Sequence, residues 1–331
     1  MDNIVNITDY GGYAGASGAI NSAAVVAAQA ALVSAGGGYL VFPDGVFDIA
    51  SAITLSQKVS LMGSGSAVTI IRASAAIATG MVRIVGDADN YRYGHRIESL
   101  SLYGASLAVY GIELAFAVYS NVMKNLFIRD TTSAGIYLTA QDENFIGGCW
   151  GNTIDNVRIS YCGRGIHLGQ AANVVRTLNS SISMNTGIGI YGDTATGVNI
   201  IGTTIEKNGT AGVEEIGIKV VGGTVWNISG CYFEGNGVSA GVDIETAPNL
   251  LSPFNVDGLT VQACYFNGLE TFEGGKVTVA AKSVHALNIL GGTVTLLGGY
   301  SWRHSGTAVI KGVGGVINNY GFVTTDRLGY E

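Results

Sequence analysis

Beyond about residue 50 the chain alternates apolar and polar positions over short runs, each closed by Gly, Asn or Asp, and helical periodicity is absent. That alternation predicts short strands with one face buried and one exposed. The runs also repeat. Asn199-Ile-Ile-Gly-Thr-Thr-Ile-Glu-Lys-Asn-Gly209 returns 28 residues later as Asn227-Ile-Ser-Gly-Cys-Tyr-Phe-Glu-Gly-Asn-Gly237. Looser copies begin at Asn121, Asn152, Asn173 and Leu259. Aligned, the copies put Ile128, Ile159, Ile182, Ile205, Phe233 and Phe266 in one inward column. Arg129, Ser160, Ser183, Glu206, Glu234 and Asn267 then follow in an outward column. A second register follows each copy, Gly135-Ile-Tyr-Leu138, Gly165-Ile-His-Leu168, Gly217-Ile-Lys-Val220 and Gly241-Val-Asp-Ile244, with Tyr137, His167, Lys219 and Asp243 facing out.

Two registers in a unit of roughly 20 to 30 residues predict one turn of a solenoid with at least two sheets. The fold expected is an all-β, single-stranded right-handed parallel β-helix of about a dozen coils. Asn185, Asn208 and Asn236 recur at the turn after the first strand, where stacked amides hydrogen-bond from coil to coil. Residues 1–50 differ. Ile20 to Ser34 is alanine-rich, with Ile20, Val25, Val26, Ala30 and Val33 near helical spacing, Asn21 or Ser22 as its cap and Gly36-Gly37-Gly38 as its end. Tyr39 to Ile49 then gives two short strands around Pro43-Asp44-Gly45. The expected organisation is an N-terminal strand and capping helix over 1–50, a β-helix body over 51–323 and a tail over 324–331. The helix would cover the open end of the core, where unpaired edges invite aggregation.

Composition narrows the function. Fifty glycines with three prolines exclude collagen, and 47% hydrophobic residues predict a folded chain. A net charge of −7 argues against nucleic acid and anionic membranes. No apolar stretch is long enough to span a bilayer, and Met1-Asp2-Asn3 starts no basic or apolar leader, so no signal peptide is expected. Cys149, Cys162, Cys231 and Cys264 lack metal-ligand spacing, and Cys231 and Cys264 hold one place in two repeats, which predicts stacked buried thiols. Neither a cofactor nor a metal is expected.

Asp9-Tyr10-Gly11-Gly12, the alanine-rich helix, Gly36-Gly37-Gly38-Tyr39-Leu40-Val41-Phe42-Pro43-Asp44-Gly45-Val46-Phe47 and the Phe-Glu-Gly-Asn repeat resemble the pectin-lyase-like superfamily. The likeness points to the branch holding phage tailspikes and depolymerases, polygalacturonases and epimerases. Ile20-Asn21-Ser22 stands where that branch has an acidic helix start. The Asn-Thr-Asp, Gly-His-Gly and Arg-Ile-Lys elements of polygalacturonases and the Asp-Pro-His of mannuronan epimerases are absent. The resemblance therefore implies a phage or prophage tailspike-type depolymerase of the virion tail or the extracellular space, released by lysis, acting on bacterial capsule, O-antigen or exopolysaccharide, as a homotrimer. The closing Val316-Ile-Asn-Asn-Tyr-Gly-Phe-Val323 resembles the last coil of prophage members.

Three arrangements carry candidate chemistry. Equivalent outward carboxylates on successive coils lie about 5 Å apart, so Glu206 and Glu234 meet the spacing of a retaining glycosidase pair. Asp243 or Asp193 is a substitute partner, and Glu before Asn is equally a coil-corner residue satisfied by backbone amides. A lyase needs a base and a cation beside a uronate, for which His167 or Tyr137 and Lys219 or Arg129 serve, unless the column is only a solvated face. Aromatic platforms hold sugar rings, and Tyr91, Tyr93, Tyr103, Tyr110, Tyr119, Tyr137, Tyr161 and Tyr191 form a tyrosine-rich stretch. His95 and His304 occupy turn-like contexts that suit a structural or sugar-contacting role. The site expected from sequence is thus Glu206, Glu234, Asp243 and His167 for catalysis, with Arg129, Tyr137, Tyr161, Tyr191 and Lys219 for binding. A non-catalytic glycan-binding fibre remains the alternative.

Overall fold

The structure, a computed structural model, describes residues 3–87, 89–139, 148–210, 212–237, 241–247, 256, 258–267, 271–273, 276–278, 283–302, 309–321 and 323–324. His304 and all of the expected tail beyond Thr324 lie outside the described residues. The chain forms two compact units, one of Met1–Cys162 with Gln170–Val175, the other of Gly163–Gly169 with Arg176–Glu331.

The first unit opens with a helix over Gly18–Ser34, capped by Ser17, whose hydroxyl accepts from the Ile20 amide. Asn21 and Ser22, expected as caps, lie inside the helix and hold neighbouring chain instead. The buried Asn21 amide oxygen accepts from Tyr13 N, and Ser22 Oγ accepts from Ala50 N. The buried face is Ala24, Val25, Ala28 and Leu32, while Ile20, Val26 and Val33 are exposed. The segment is apolar on every side, so spacing alone gives no contrast by which to choose a face. After the helix Gly38 has φ 140°, and a Cβ there would sit 2.1 Å from Asn3 O, so only glycine lets the chain turn into the first rung.

From there the first unit is three stacks of parallel strands. In the first stack Gly38–Phe42 pairs with Val59–Gly63 and Gly45–Ile49 with Thr69–Ala73; both run under Arg96–Tyr103, then Val122–Arg129 and Thr153–Ser160. The segment before residue 50 is therefore continuous with the rungs that follow. The second stack is Ile53–Thr54, Ile77–Val85, Ala108–Ala115 and Ala134–Thr139. The third holds two-residue strands, Arg92–Tyr93, Val118–Tyr119, Cys149–Trp150 and Ala172–Asn173. Each of these is followed by a left-handed residue: Gly94, Ser120, Gly151 and Val174. Inside the turn that follows, the buried amides of Asn121 and Asn152 bond at 2.9 Å. His95 heads this ladder, buried, with Nδ1 donating to Val59 O at 2.7 Å, which makes it structural.

The second unit has two stacks. One comprises Arg176–Leu178 and Ser181–Ser183, Asn199–Ile201 and Thr204–Glu206, Asn227–Ser229 and Tyr232–Glu234, Leu259–Asn267, and part of Ser283–Trp302. The other comprises Arg164–Leu168, Ile190–Asp193, Ile216–Val221, Gly241–Ala247 and the remainder of Ser283–Trp302. Ile182, Ile205, Phe233 and Phe266 form the expected inward column, and the last two rings stack at 4.7 Å. Cys231 and Cys264 are buried free thiols beside that column. Both units thus have the architecture of a parallel β-helix, in which inward side chains stack on their own equivalents.

The expected asparagine ladder is present in the second unit. Asn185 Nδ2 donates to Asn208 Oδ1 at 2.8 Å, and Asn208 Nδ2 donates to Asn236 Oδ1 at 2.9 Å. Glycine must face each amide. A Cβ on Gly189 or Gly217 would lie 2.9 Å from the amide nitrogen of Asn208 or Asn236.

Candidate functional site

The register settles one outward column of the second unit. His167 pairs with Tyr191, Tyr191 with Lys219, Lys219 with Glu245 and Glu245 with Asn288. The expected fourth member, Asp243, is not in it. Asp243 is fully buried, and its Oδ1 accepts from Asn236 Nδ2 at 2.8 Å. The rung position of Gly217 is filled by Asp243, since Ile216 pairs with Val242 and Ile218 with Ile244. Matching Gly241 to Gly217 by sequence therefore slips the alignment by two residues, which in a strand keeps the facing but names the wrong residue. Glu245 is the carboxylate that belongs beside Lys219.

Around this column the side chains interlock. Lys219 Nζ lies 2.8 Å from Glu214 Oε1 and 3.3 Å from Glu245 Oε1, and Asn288 Nδ2 donates to Glu245 Oε2 at 2.9 Å. The Arg164 guanidinium lies 4.3 Å from the Tyr191 ring centroid, with Nη2 at 3.5 Å from Glu214 Oε2 and Nη1 at 3.5 Å from His167 Nδ1. The His167 and Tyr191 rings meet edge to face at 5.0 Å. One strand brings Tyr191 and Asp193 onto the same outward face, because residues of like parity share one side, while Arg164, three residues before His167, reaches that face through its long side chain.

The titrations follow from this packing. Burial, aided by the Arg164 charge, lowers His167 to about 4, so its imidazole is neutral near pH 7. Burial raises the Asp193 carboxyl above its ordinary value, and Arg164 opposes that rise. Burial also works against the charge on Lys219, yet its contacts with Glu214 and Glu245 carry it above its ordinary value. A carboxyl whose burial raises it holds its proton more tightly and is better suited to donate it, and a neutral imidazole is suited to accept one.

The other expected carboxylates form a separate column of the same unit. Ser183, Glu206, Glu234 and Asn267 are in register on successive rungs, as the repeats predict, although Ser183 is covered. The Tyr232 hydroxyl donates to Glu234 Oε2, which also lies 3.5 Å from Asn267 Nδ2. Burial and the bond to Glu234 push the Tyr232 phenol up to about 12, and its ring stacks on Tyr265 at 5.4 Å.

Arg129, Tyr137 and Tyr161 belong to the first unit. The Arg129 guanidinium lies 4.5 Å from the Tyr103 ring and 5.2 Å from the Tyr161 ring, with Nε donating to Asp130 at 2.7 Å. Tyr137 stacks on Tyr110 at 4.6 Å and is in register with Glu113, which Arg83 holds at 2.8 Å. Sequence reasoning missed Arg164, Glu214 and Glu245. Glu245 was open to discovery through a different register, whereas Glu214 lies in a loop with no period to mark it.

Comparisons with known proteins agree with this architecture. The family described as "Right handed beta helix region" matches residues 110–284. No curated protein matches the chain. Among solved structures, ORF18 of Geobacillus virus E2 is similar at a TM-score of 0.68 and 16% identity, over 97% of this chain and 61% of that one. The chain therefore spans about three-fifths of that relative's length. The gp42 tailspike of Acinetobacter phage vb_AbaP_AS12 gives 0.66 and 13%, over 91% of this chain and 52% of that one. The catalytic unit of the GH87 alpha-1,3-glucanase from Streptomyces thermodiastaticus strain HF3-3 gives 0.60 and 15%, over 97% and 70%. At such identities the likeness is one of fold.

Proposed function

The chain belongs to the right-handed β-helix family, and from that premise we propose that it binds a bacterial surface polysaccharide and cleaves it by glycoside hydrolysis. The observation that carries the site is Lys219, gripped by Glu214 and Glu245 on a wall that also presents Tyr191, His167, Arg164 and Asp193. In this reading Tyr191 and Arg164 form the platform for a sugar ring, and Asp193 protonates the leaving oxygen. Glu245, oriented by Lys219 and Asn288 and two rungs from Asp193, activates water, as in an inverting pair. Support for a polysaccharide comes from the names of similar structures, a tailspike and a glucanase. Action in the virion tail or outside the cell, and assembly as a homotrimer, belong to the same proposal.

Two further observations favour second readings. Glu206 and Glu234 are in register on adjacent rungs, the spacing of a retaining pair. His167, neutral beside Arg164, matches the base and cation of a lyase. One experiment separates them. The wild type, Asp193→Asn, Glu245→Gln, Glu206→Gln, Glu234→Gln and His167→Gln are incubated with a panel of capsular and O-antigen polysaccharides, and reducing ends and ultraviolet-absorbing unsaturated uronates are measured. Hydrolysis at the Lys219 column predicts reducing ends without unsaturated product, and a loss of about a hundredfold or more in Asp193→Asn and Glu245→Gln alone. Losses confined to Glu206→Gln and Glu234→Gln would move the chemistry to their column. Unsaturated product abolished by His167→Gln would make the protein a lyase, and binding without either product would make it a glycan-binding fibre.

A further inference from the structure

The third stack of the first unit carries aromatic rings in one line. Tyr93 pairs with Tyr119 and Tyr119 with Trp150, so three successive two-residue strands present a ring at the same register position. Tyr91 adds a fourth, its ring 5.6 Å from that of Tyr119, which in turn lies 5.2 Å from Trp150. These rings are not core. Tyr91, Tyr93 and Trp150 are 48%, 58% and 47% exposed, an unusual placement for neighbouring large apolar groups. The left-handed residue after each strand, Gly94, Ser120 and Gly151, turns the residue that follows, His95, Asn121 or Asn152, inward and leaves the ring outside.

We propose that this line of rings is a second carbohydrate site, which holds an extended polysaccharide of neutral or amino sugars along the rungs. A pyranose presents an apolar face of C–H groups, which packs on an aromatic ring while the hydroxyls at its edge stay in water. The rungs are spaced at about 4.8 Å, close to the advance of one pyranose in an extended chain, so successive sugars meet successive rings. Charge selects the class of sugar. Asp87 and Asp89 precede Tyr91, and the hydrogen bond from Asn90 holds the Asp87 carboxyl below its ordinary range. Arg92, the basic residue of the four short strands, is turned back, with Nε donating to Val85 O at 3.0 Å and Nη1 to Gln57 at 2.6 Å. The line is thus apolar with an acidic end, which disfavours uronate polymers and favours neutral or cationic ones. The site lies in the first unit and stands independently of the hydrolytic reading of the Lys219 column.

Native gel electrophoresis through dextran, hydroxyethylcellulose, glycol chitosan or polygalacturonate tests the proposal, with a Tyr93→Ala/Trp150→Ala double variant beside the wild type. Both side chains are half exposed, and thermal melts establish that the variant folds. The wild type is expected to be retarded by at least one neutral or amino polymer, and the double variant to lose affinity about tenfold or more, as truncation of a stacking aromatic commonly does. The same polymer should shift the fluorescence of the wild type but not of Trp150→Phe. Oligosaccharides too short to span the rings, if the wild type cleaves them, should be cleaved equally by the double variant; an inactive Asp193→Asn protein should still be retarded. Failure of the site and failure of the hydrolytic reading are thereby distinguishable. Retardation by none of the polymers or by polygalacturonate alone, equal retardation of the double variant, or self-association that the double variant abolishes without any glycan binding would overturn the proposal.

Discussion

Asn208→Ala tests the rung-stacking principle at its centre. The Asn208 amide is fully buried and makes four contacts: Nδ2 donates to Asn236 Oδ1 at 2.9 Å and to Ile182 O at 3.0 Å, and Oδ1 accepts from Asn185 Nδ2 at 2.8 Å and Asn185 N at 3.3 Å. Alanine removes the oxygen that both Asn185 donors share and one donor to the Ile182 carbonyl. Asn236 Oδ1 keeps the Asn208 backbone amide at 3.2 Å. Each buried hydrogen bond lost costs about 0.5–1.5 kcal/mol, and more where a buried group loses its partner. A water that enters the amide-sized hole recovers part of this, leaving a loss of about 3–5 kcal/mol. The control is Asn125→Gly. The Asn125 amide also bonds to the next rung, at 2.8 Å from Asn156, but that bond is open to solvent, and glycine accepts its φ of 54°. It should change stability by no more than about 0.5 kcal/mol. Urea titration followed by the fluorescence of buried Trp226, whose indole donates to Ala195 O at 2.9 Å, reads the second unit. Thermal melts should show a fall of about 10 °C for Asn208→Ala. A loss below about 1 kcal/mol, or one equal to the control, would refute the view that buried inter-rung amides hold the turn.

Three other outcomes follow from the same packing. His167 titrates at about 4 when folded against 6.5 as its ordinary value, so the unfolded chain binds the extra proton between those pH values. Stability should therefore fall as pH drops from 6.5 to 4, and His167→Gln should remove about 2 kcal/mol of that fall in urea midpoints measured across the range. Lys219→Met leaves Glu214 and Glu245 without their shared cation and should cost about 1–3 kcal/mol in urea midpoints at neutral pH. Burial pushes the Cys149 thiol up to about 12. A thiol reagent at neutral pH should therefore leave Cys149 unmodified in the native protein and label it only in urea.

What the sequence determined is the set of columns whose members recur at a fixed place in each copy. In-register parallel pairing carries a repeat directly into space, so the Ile182–Phe266 line, the Asn185–Asn208–Asn236 ladder and the Glu206–Glu234 neighbours were legible from alignment alone. The placing of His167 and Lys219 in one outward column was legible too, whereas Tyr191, which the register puts between them, was read only as part of the tyrosine-rich stretch. Tertiary structure decided what breaks the repeat. Asp243 stands at the rung position that Gly217 holds one coil earlier, so Glu245 and not Asp243 is the partner of Lys219. Glu214 reaches Lys219 from a loop, and Arg164 folds back over Tyr191. The aromatic line of Tyr93, Tyr119 and Trp150 was visible only as a tyrosine-rich stretch, since two-residue strands at unequal intervals have no period to detect. Periodicity records which residues point the same way, whereas contact also depends on loop length and on the volume left by neighbours, and those are fixed only when the rungs close on one another.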